Sequence, residues 1–145
     1  MKLKALFSRE KTESAPPPLV SQFSYLVDGK FDYEAYLAAQ KRKAQNDDLD
    51  TWADEKTLGL IANYVSERMD RPEFVICHGS KSGMESNYLG NALECEAVGS
   101  DIAPPSHAKN VVAWDFHETN PDWLGRASVV YTNALDHAYD PKKAI

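Results

Sequence analysis

The chain has 145 residues, 43% hydrophobic and 26% charged, and 16 Lys and Arg against 22 Asp and Glu leave a formal net charge of −6. That length suits one domain, since domains run at roughly 100–150 residues, and the composition excludes a disordered chain. An acidic balance offers no field for a phosphate backbone, so nucleic acid is not an expected partner. No apolar run approaches the ~20 residues of a membrane span.

The first segment, MKLKALFSREKTESAPPP, is basic and carries only Ala5, Leu6 and Phe7 as an apolar patch. A secretory leader needs about 7–15 such residues, so a cytoplasmic location is expected. Residues 1–20 read as a flexible, Pro-rich lead-in, because Pro16-Pro17-Pro18 imposes extended geometry and blocks helix. After a turn at Asp28-Gly29-Lys30, the stretch FDYEAYLAAQKRKAQ reads as a helix with Phe31, Tyr33, Tyr36, Leu37 and Ala38 for contacts. Lys41, Arg42 and Lys43 in its last turn suit the helix dipole. Residues 21–50 thus form a helical extension, placed to act as a lid. The break NDDLD follows, with Asp50 or Thr51 as N-cap, and TWADEKTLGLIANYVSERM gives a second helix with Trp52, Leu58, Ile61, Ala62 and Val65 near one face. Asp70-Arg71-Pro72 stops it.

From Phe74 the rhythm changes. Phe74-Val75-Ile76-Cys77 is a short continuous apolar run, as in a strand buried on both faces. The loop His78-Gly79-Ser80-Lys81-Ser82-Gly83 leads into a helix, MESNYLGNALE, and a second strand, CEAVGSDI, brings Asp101 to its end. Pro104-Pro105 marks a loop, NVVAW is a third strand ending at Asp115, and PDWLG is a short helix or turn. A fourth strand, Ala127 to Tyr131, runs into Thr132-Asn133, and a helix is expected to begin near Asp140-Pro141. Strands separated by helices or long crossovers predict an α/β fold with a mostly parallel sheet, right-handed connections and helices on both faces. Cys77 and Cys95 form no CxxC pair and read as small buried hydrophobes.

In open α/β sheets, ligands bind at the carboxyl ends of the strands where the strand order reverses. The polar residues of interest fall there. Gly79 lets the chain turn out of the first strand, Gly83 lets backbone approach a ligand, and the helix that follows offers free N–H groups to an anionic group. Asp101 lies 22 positions after Gly79, the interval at which a carboxylate takes a ribose hydroxyl pair. Asp115 could accept from an exocyclic amine such as that of adenine, with Trp114 or Phe116 packed on the base, or could cap a helix or turn. GxGxxG is absent, which argues against a pyrophosphate cradle, and His78-Gly79 lacks the GxSxG elbow of a hydrolase. His117, Asp136, His137 and Asp140 lack metal-ligand spacing, so no metal is expected.

Taken together, VICHGSKSGMESNYL, AVGSDI, VVAWDFHE and VVYTNALDHAYDP resemble the first four motifs of the class I S-adenosylmethionine-dependent methyltransferases, over residues 58–145. The resemblance implies a Rossmann-like sheet of strand order 3-2-1-4-5-7-6 with the cofactor across strands 1, 2 and 4. Residues 51–145 would be the N-terminal half of that domain, the C-terminal half missing after the fourth strand. The loop His78, Gly79, Ser80 and Gly83 would hold the methionine part; Asp101, with Ile102 beside it, would take the ribose hydroxyls. Asp115 and Phe116 would border the adenine, and Asn133, with Asp136-His137, would face the methionine end and the acceptor. His78 stands where the family carries an acidic residue, and the glycine loop is GxxxG rather than GxGxG.

The function so implied is methyl transfer from S-adenosylmethionine to a small-molecule acceptor, leaving S-adenosylhomocysteine. His137 is the candidate base if the acceptor needs deprotonation; lining the cofactor or satisfying a backbone carbonyl is its other reading. Tyr131 and Tyr139 are core or rim aromatics, or acceptor contacts. The alternative function is a truncated or degenerate cofactor-binding module without catalysis, self-associating through an exposed sheet edge.

Overall fold

A computed structural model describes residues 25–46 and 52–144. The lead-in at residues 1–20, residues 47–50 of the NDDLD break and the caps at Asp50 and Thr51 lie outside the described residues.

The first described elements form a hairpin of two-residue strands, β1 (Leu26–Val27) against β2 (Lys30–Phe31). Asp28 and Gly29 both have positive φ, 50° and 74°, the geometry of the tight turn that matches strand twist. Helix α1 (Tyr33–Asn46) follows directly, as the aromatic spacing predicts. Helix α2 (Glu55–Ser66) starts later than expected. Its N-cap is Asp54, whose carboxylate accepts from the Thr57 N–H at 2.8 Å. Trp52 therefore lies before the helix and is 69% exposed, not on its apolar face.

Four parallel strands form the sheet: β3 (Phe74–His78), β4 (Glu96–Asp101), β5 (Val111–Ala113) and β6 (Val129–Thr132), in the order β5-β4-β3-β6. The strand order reverses beside β3. Helix α3 (Met84–Leu93) links β3 to β4 and ends at Glu94, a non-glycine residue in the left-handed region at φ 52°. The arrangement is mixed α/β, a parallel sheet flanked by helices and compatible with a Rossmann-like fold.

Alternation along β3 divides its side chains between two faces. Val75 and Cys77 join Leu58 and Ala62 of α2 and Leu89 and Leu93 of α3 in one core, with Val129 and Tyr131 packed against it. Leu58 and Leu89 are wholly buried, and each contributes roughly 1.5–3 kcal/mol by leaving water. Phe74, Ile76 and His78 point the other way. There the cover is not a helix but the turn-rich connection from β5 to β6: the Arg126 guanidinium lies 4.7 Å above the Phe74 ring, and Trp123 packs near His78. The helix expected near Asp140-Pro141 is absent among the described residues; a single 3₁₀ turn, Leu135–His137, follows β6 instead. Cys77 is buried, whereas Cys95 is half-buried at the core's margin.

Candidate functional site

At the carboxyl ends of β3, β4 and β6 the loops leave an open cleft, closed on its far side by α1. Of the residues expected at a site, Gly79, Asp101, Ile102, Asp115, Phe116, Asn133 and His137 line it. His78, Ser80 and Gly83 do not.

Each of these three is diverted for a physical reason. His78 is the last residue of β3 and takes the face opposite α3. There its Nδ1 lies 2.7 Å from the Ser100 Oγ and its ring packs near Phe116 and Trp123. Burial pushes its pKa below the ordinary histidine value. Ser80 is 1% exposed; its N–H donates to the Ser100 carbonyl and its hydroxyl to Glu85. Gly83, at φ 87°, has the carbonyl of Lys109 and the Val111 side chain where a Cβ would stand, so its missing side chain admits neighbouring chain rather than a ligand. Gly79, at φ 69°, does line the cleft, and a Cβ there would collide with that of Ala134 after β6.

Asp101 is held by the loop it faces. Its Oδ2 accepts the Lys81 N–H at 3.1 Å and its Oδ1 the Ala103 N–H at 2.8 Å. Lys81 adopts φ 42° to present that amide, uncommon for a residue with a Cβ. A carboxylate has about four acceptor sites, so a cleft-facing pair of hydroxyls can share this group with the two amides.

Asp115 is differently engaged. Its Oδ1 accepts both the backbone N–H of His117 at 3.0 Å and His117 Nδ1 at 2.6 Å, while Oδ2 accepts the Tyr33 hydroxyl at 3.0 Å. Burial opposes ionisation of this carboxyl, but the hydrogen bonds from His117 and Tyr33 outweigh it and hold the pKa below the ordinary aspartate value. The backbone bond from His117 is the turn-capping role. His117 is 2% exposed, stacks on Tyr139 at 3.7 Å, and accepts the Asp140 N–H on Nε2 at 3.4 Å. With Nδ1–H donated to Asp115, both ring nitrogens are committed in a neutral imidazole.

The α1 wall is fastened by the same cluster. Tyr36 is buried among Tyr25, Phe31, Tyr33 and Tyr139 and donates its hydroxyl to the His137 carbonyl at 3.4 Å. Burial, reinforced by Asp115, pushes the Tyr33 phenol up to about 12. Lys43 Nζ lies 3.1 Å from His137 Nε2, which makes the imidazole the acceptor. Tyr139 is therefore a half-buried rim aromatic joining the α1 region to His117 of the loop after β5.

The cleft is also lined by residues that the sequence does not mark as site residues, among them Glu85, Lys81, Lys43 and, at the mouth, Trp52. Glu85 sits in the first turn of α3, where acidic residues commonly serve the helix dipole; its spacing alone gave no sign that it faces a cleft. Among the described residues no group of three metal-ligating side chains stands together, and no helix is long and apolar enough to cross a membrane. Comparison with protein-family models, with curated proteins and with solved structures finds no match to this chain.

Proposed function

We propose that the cleft binds S-adenosylmethionine and that the protein transfers its methyl group to a small-molecule acceptor. The observation that carries this reading is Asp101: a carboxylate fixed by two backbone amides at the end of β4, facing a cleft at the strand-order reversal. The residues present fit a nucleoside with an amino-acid end. Asp101 would take the ribose hydroxyls, Ile102 and Phe116 would flank the base, and Gly79 and Asn133 would face the other end. Asp115, committed to His117 and Tyr33, fastens the wall beside the base.

Such a cofactor supplies an electrophilic methyl carbon on a sulfonium; the chain's own work is to hold, orient and exclude water. His137 has its Nε2 engaged by Lys43, so its use as a base requires that contact to open. The test is calorimetric titration with S-adenosylmethionine and S-adenosylhomocysteine, repeated with Asp101→Ala. Saturable binding that weakens by at least about tenfold in the variant, roughly 1.4 kcal/mol, is expected; no binding by the folded wild type overturns the reading.

A second reading, a non-catalytic module that pairs through its sheet edge, is supported by β6, an edge strand with Val130 58% exposed. It predicts a concentration-dependent dimer that Val130→Lys abolishes, without methyl transfer by the wild type.

A further inference from the structure

A single exposed aromatic residue is ordinary on a protein surface, but the position of Trp52 is not. It lines the mouth of the cleft, and the chain is anchored immediately after it: Ala53 is buried in the core and Asp54 caps α2. An indole, among the largest apolar surfaces a side chain can bury, is thus held at the cleft mouth and left in water. Gln40, Lys43 and Ala44 of α1 line the cleft with it, and their intervals of three and four put them on one face of that helix. Lys43 Nζ lies 3.1 Å from His137 Nε2; an ammonium carries three donors, so this contact leaves two for a ligand. Asp136, 3.8 Å from the same imidazole nitrogen, has a largely exposed side chain, where solvent and salt screen its charge.

We propose that this mouth is the acceptor subsite and that it takes a planar aromatic acid, the ring on Trp52 and the carboxylate at Lys43. This rests on the reading of the inner cleft as an S-adenosyl cofactor site. Asp101, Ile102 and Phe116, which serve the nucleoside in that reading, stand at or just after the ends of β4 and β5. Trp52 and Lys43 come instead from outside the sheet, which leaves them to a second molecule. A flat ring is the favoured partner of an indole because aromatic pairs gain from stacked or edge contact beyond the area they bury. Lys43 reads the charge on that ring's substituent, since a bond from an ammonium to a carboxylate is stronger than one between neutral groups.

The experiment is a chemical-shift titration of the full chain saturated with S-adenosylhomocysteine, following the Trp52 indole N–H. It uses three probes: 2-naphthoate, its uncharged amide, and decahydro-2-naphthoate, which keeps the charge and loses the flat ring. The wild type is expected to bind 2-naphthoate about threefold or more tighter than the decahydro acid, with the Trp52 signal shifting. It should prefer 2-naphthoate to the amide by about twofold to fivefold, as befits an ion pair open to solvent. Trp52→Ala should abolish the first preference and Lys43→Gln the second; both positions are exposed, and an unchanged melting curve reports that the variants are folded. Equal affinity of the three probes, or displacement of S-adenosylhomocysteine by 2-naphthoate, overturns the acceptor subsite and leaves the cofactor reading standing. Failure of S-adenosylhomocysteine to bind the wild type overturns both. Should either variant not fold, the wild-type ranking of the probes and the Trp52 signal decide the matter without it.

Discussion

Two aspartates end neighbouring strand regions and face one cleft, yet they are put to different work. Asp101 is gripped by two backbone amides, that of Ala103 in its own loop and that of Lys81 in the loop after β3, and its carboxylate remains turned to the cleft. Asp115 is gripped by the backbone N–H of His117 and also by two side chains, His117 and Tyr33, the latter from a helix 82 positions away in sequence. Backbone donors alone fix a carboxylate and leave it turned to the cleft; an added side-chain donor from a docked helix makes the carboxylate a fastening point. The same residue type at equivalent places is thus a cleft-facing group in one case and a clasp in the other.

The largest expected effect tests the loop on which the Asp101 side depends. Gly79→Val places a branched side chain in the left-handed region and against Ala134, and should destabilise the protein by about 2–5 kcal/mol, read from chemical denaturation. A midpoint unchanged from wild type would mean that the loop and the Ala134 turn move apart freely. Next, Asp115→Ala leaves buried donors of His117 without an acceptor and should cost about 1–3 kcal/mol of stability. Asp101→Ala, by contrast, should lose more ligand affinity than stability; if the two variants behave alike, the distinction between clasp and site fails.

Acid separates the two regions more gently. His78 has a pKa lowered by burial from 6.5, so its neutral form is favoured in the fold. Stability from this group is complete above 6.5 and is lost as pH falls below that value. Asp115, lowered from 3.8, contributes above that value and loses its contribution as pH falls through the depressed folded value. Melting curves should therefore decline in two windows, the upper one removed by His78→Gln and the lower one by Asp115→Asn. The smallest effect is Tyr33→Phe, which removes one partly exposed hydrogen bond worth about 0.5–1 kcal/mol and should quicken proteolysis within α1 while leaving cofactor affinity near wild type.

Much of the sheet was legible in the sequence because short apolar runs bounded by Gly, Pro and Asp carry their own limits. β3 and β4 lie within a residue of expectation, and Asp101 was reachable from its interval after Gly79. His78 was misplaced for a reason periodicity could have shown: it continues the alternation of Phe74 and Ile76 and so points away from α3. Glu85 was hidden by its ordinary setting in a first helical turn. Tyr33 and Lys43 were legible as helix residues but not as partners of site residues, because the groups they meet, Asp115 and His137, depend on how α1 docks. The start of α2 was drawn too early because two earlier cap candidates compete with Asp54, and only geometry selects among them.

The stacking of Phe31, Tyr33 and Tyr36 on Tyr139 also bears on how the protein is made. Their aromatic partner is synthesised only after every strand of the sheet, and the Tyr36 hydroxyl meets a carbonyl 101 positions downstream. Contacts of such long range form late, since loop closure must precede their reward. During vectorial synthesis α1 leaves the ribosome before the parallel sheet, with its aromatic residues uncovered, and waits through the assembly of β3 to β6. Among the described helices the first to be made is the last to be seated, and the cleft acquires its outer wall only after β6 has been synthesised.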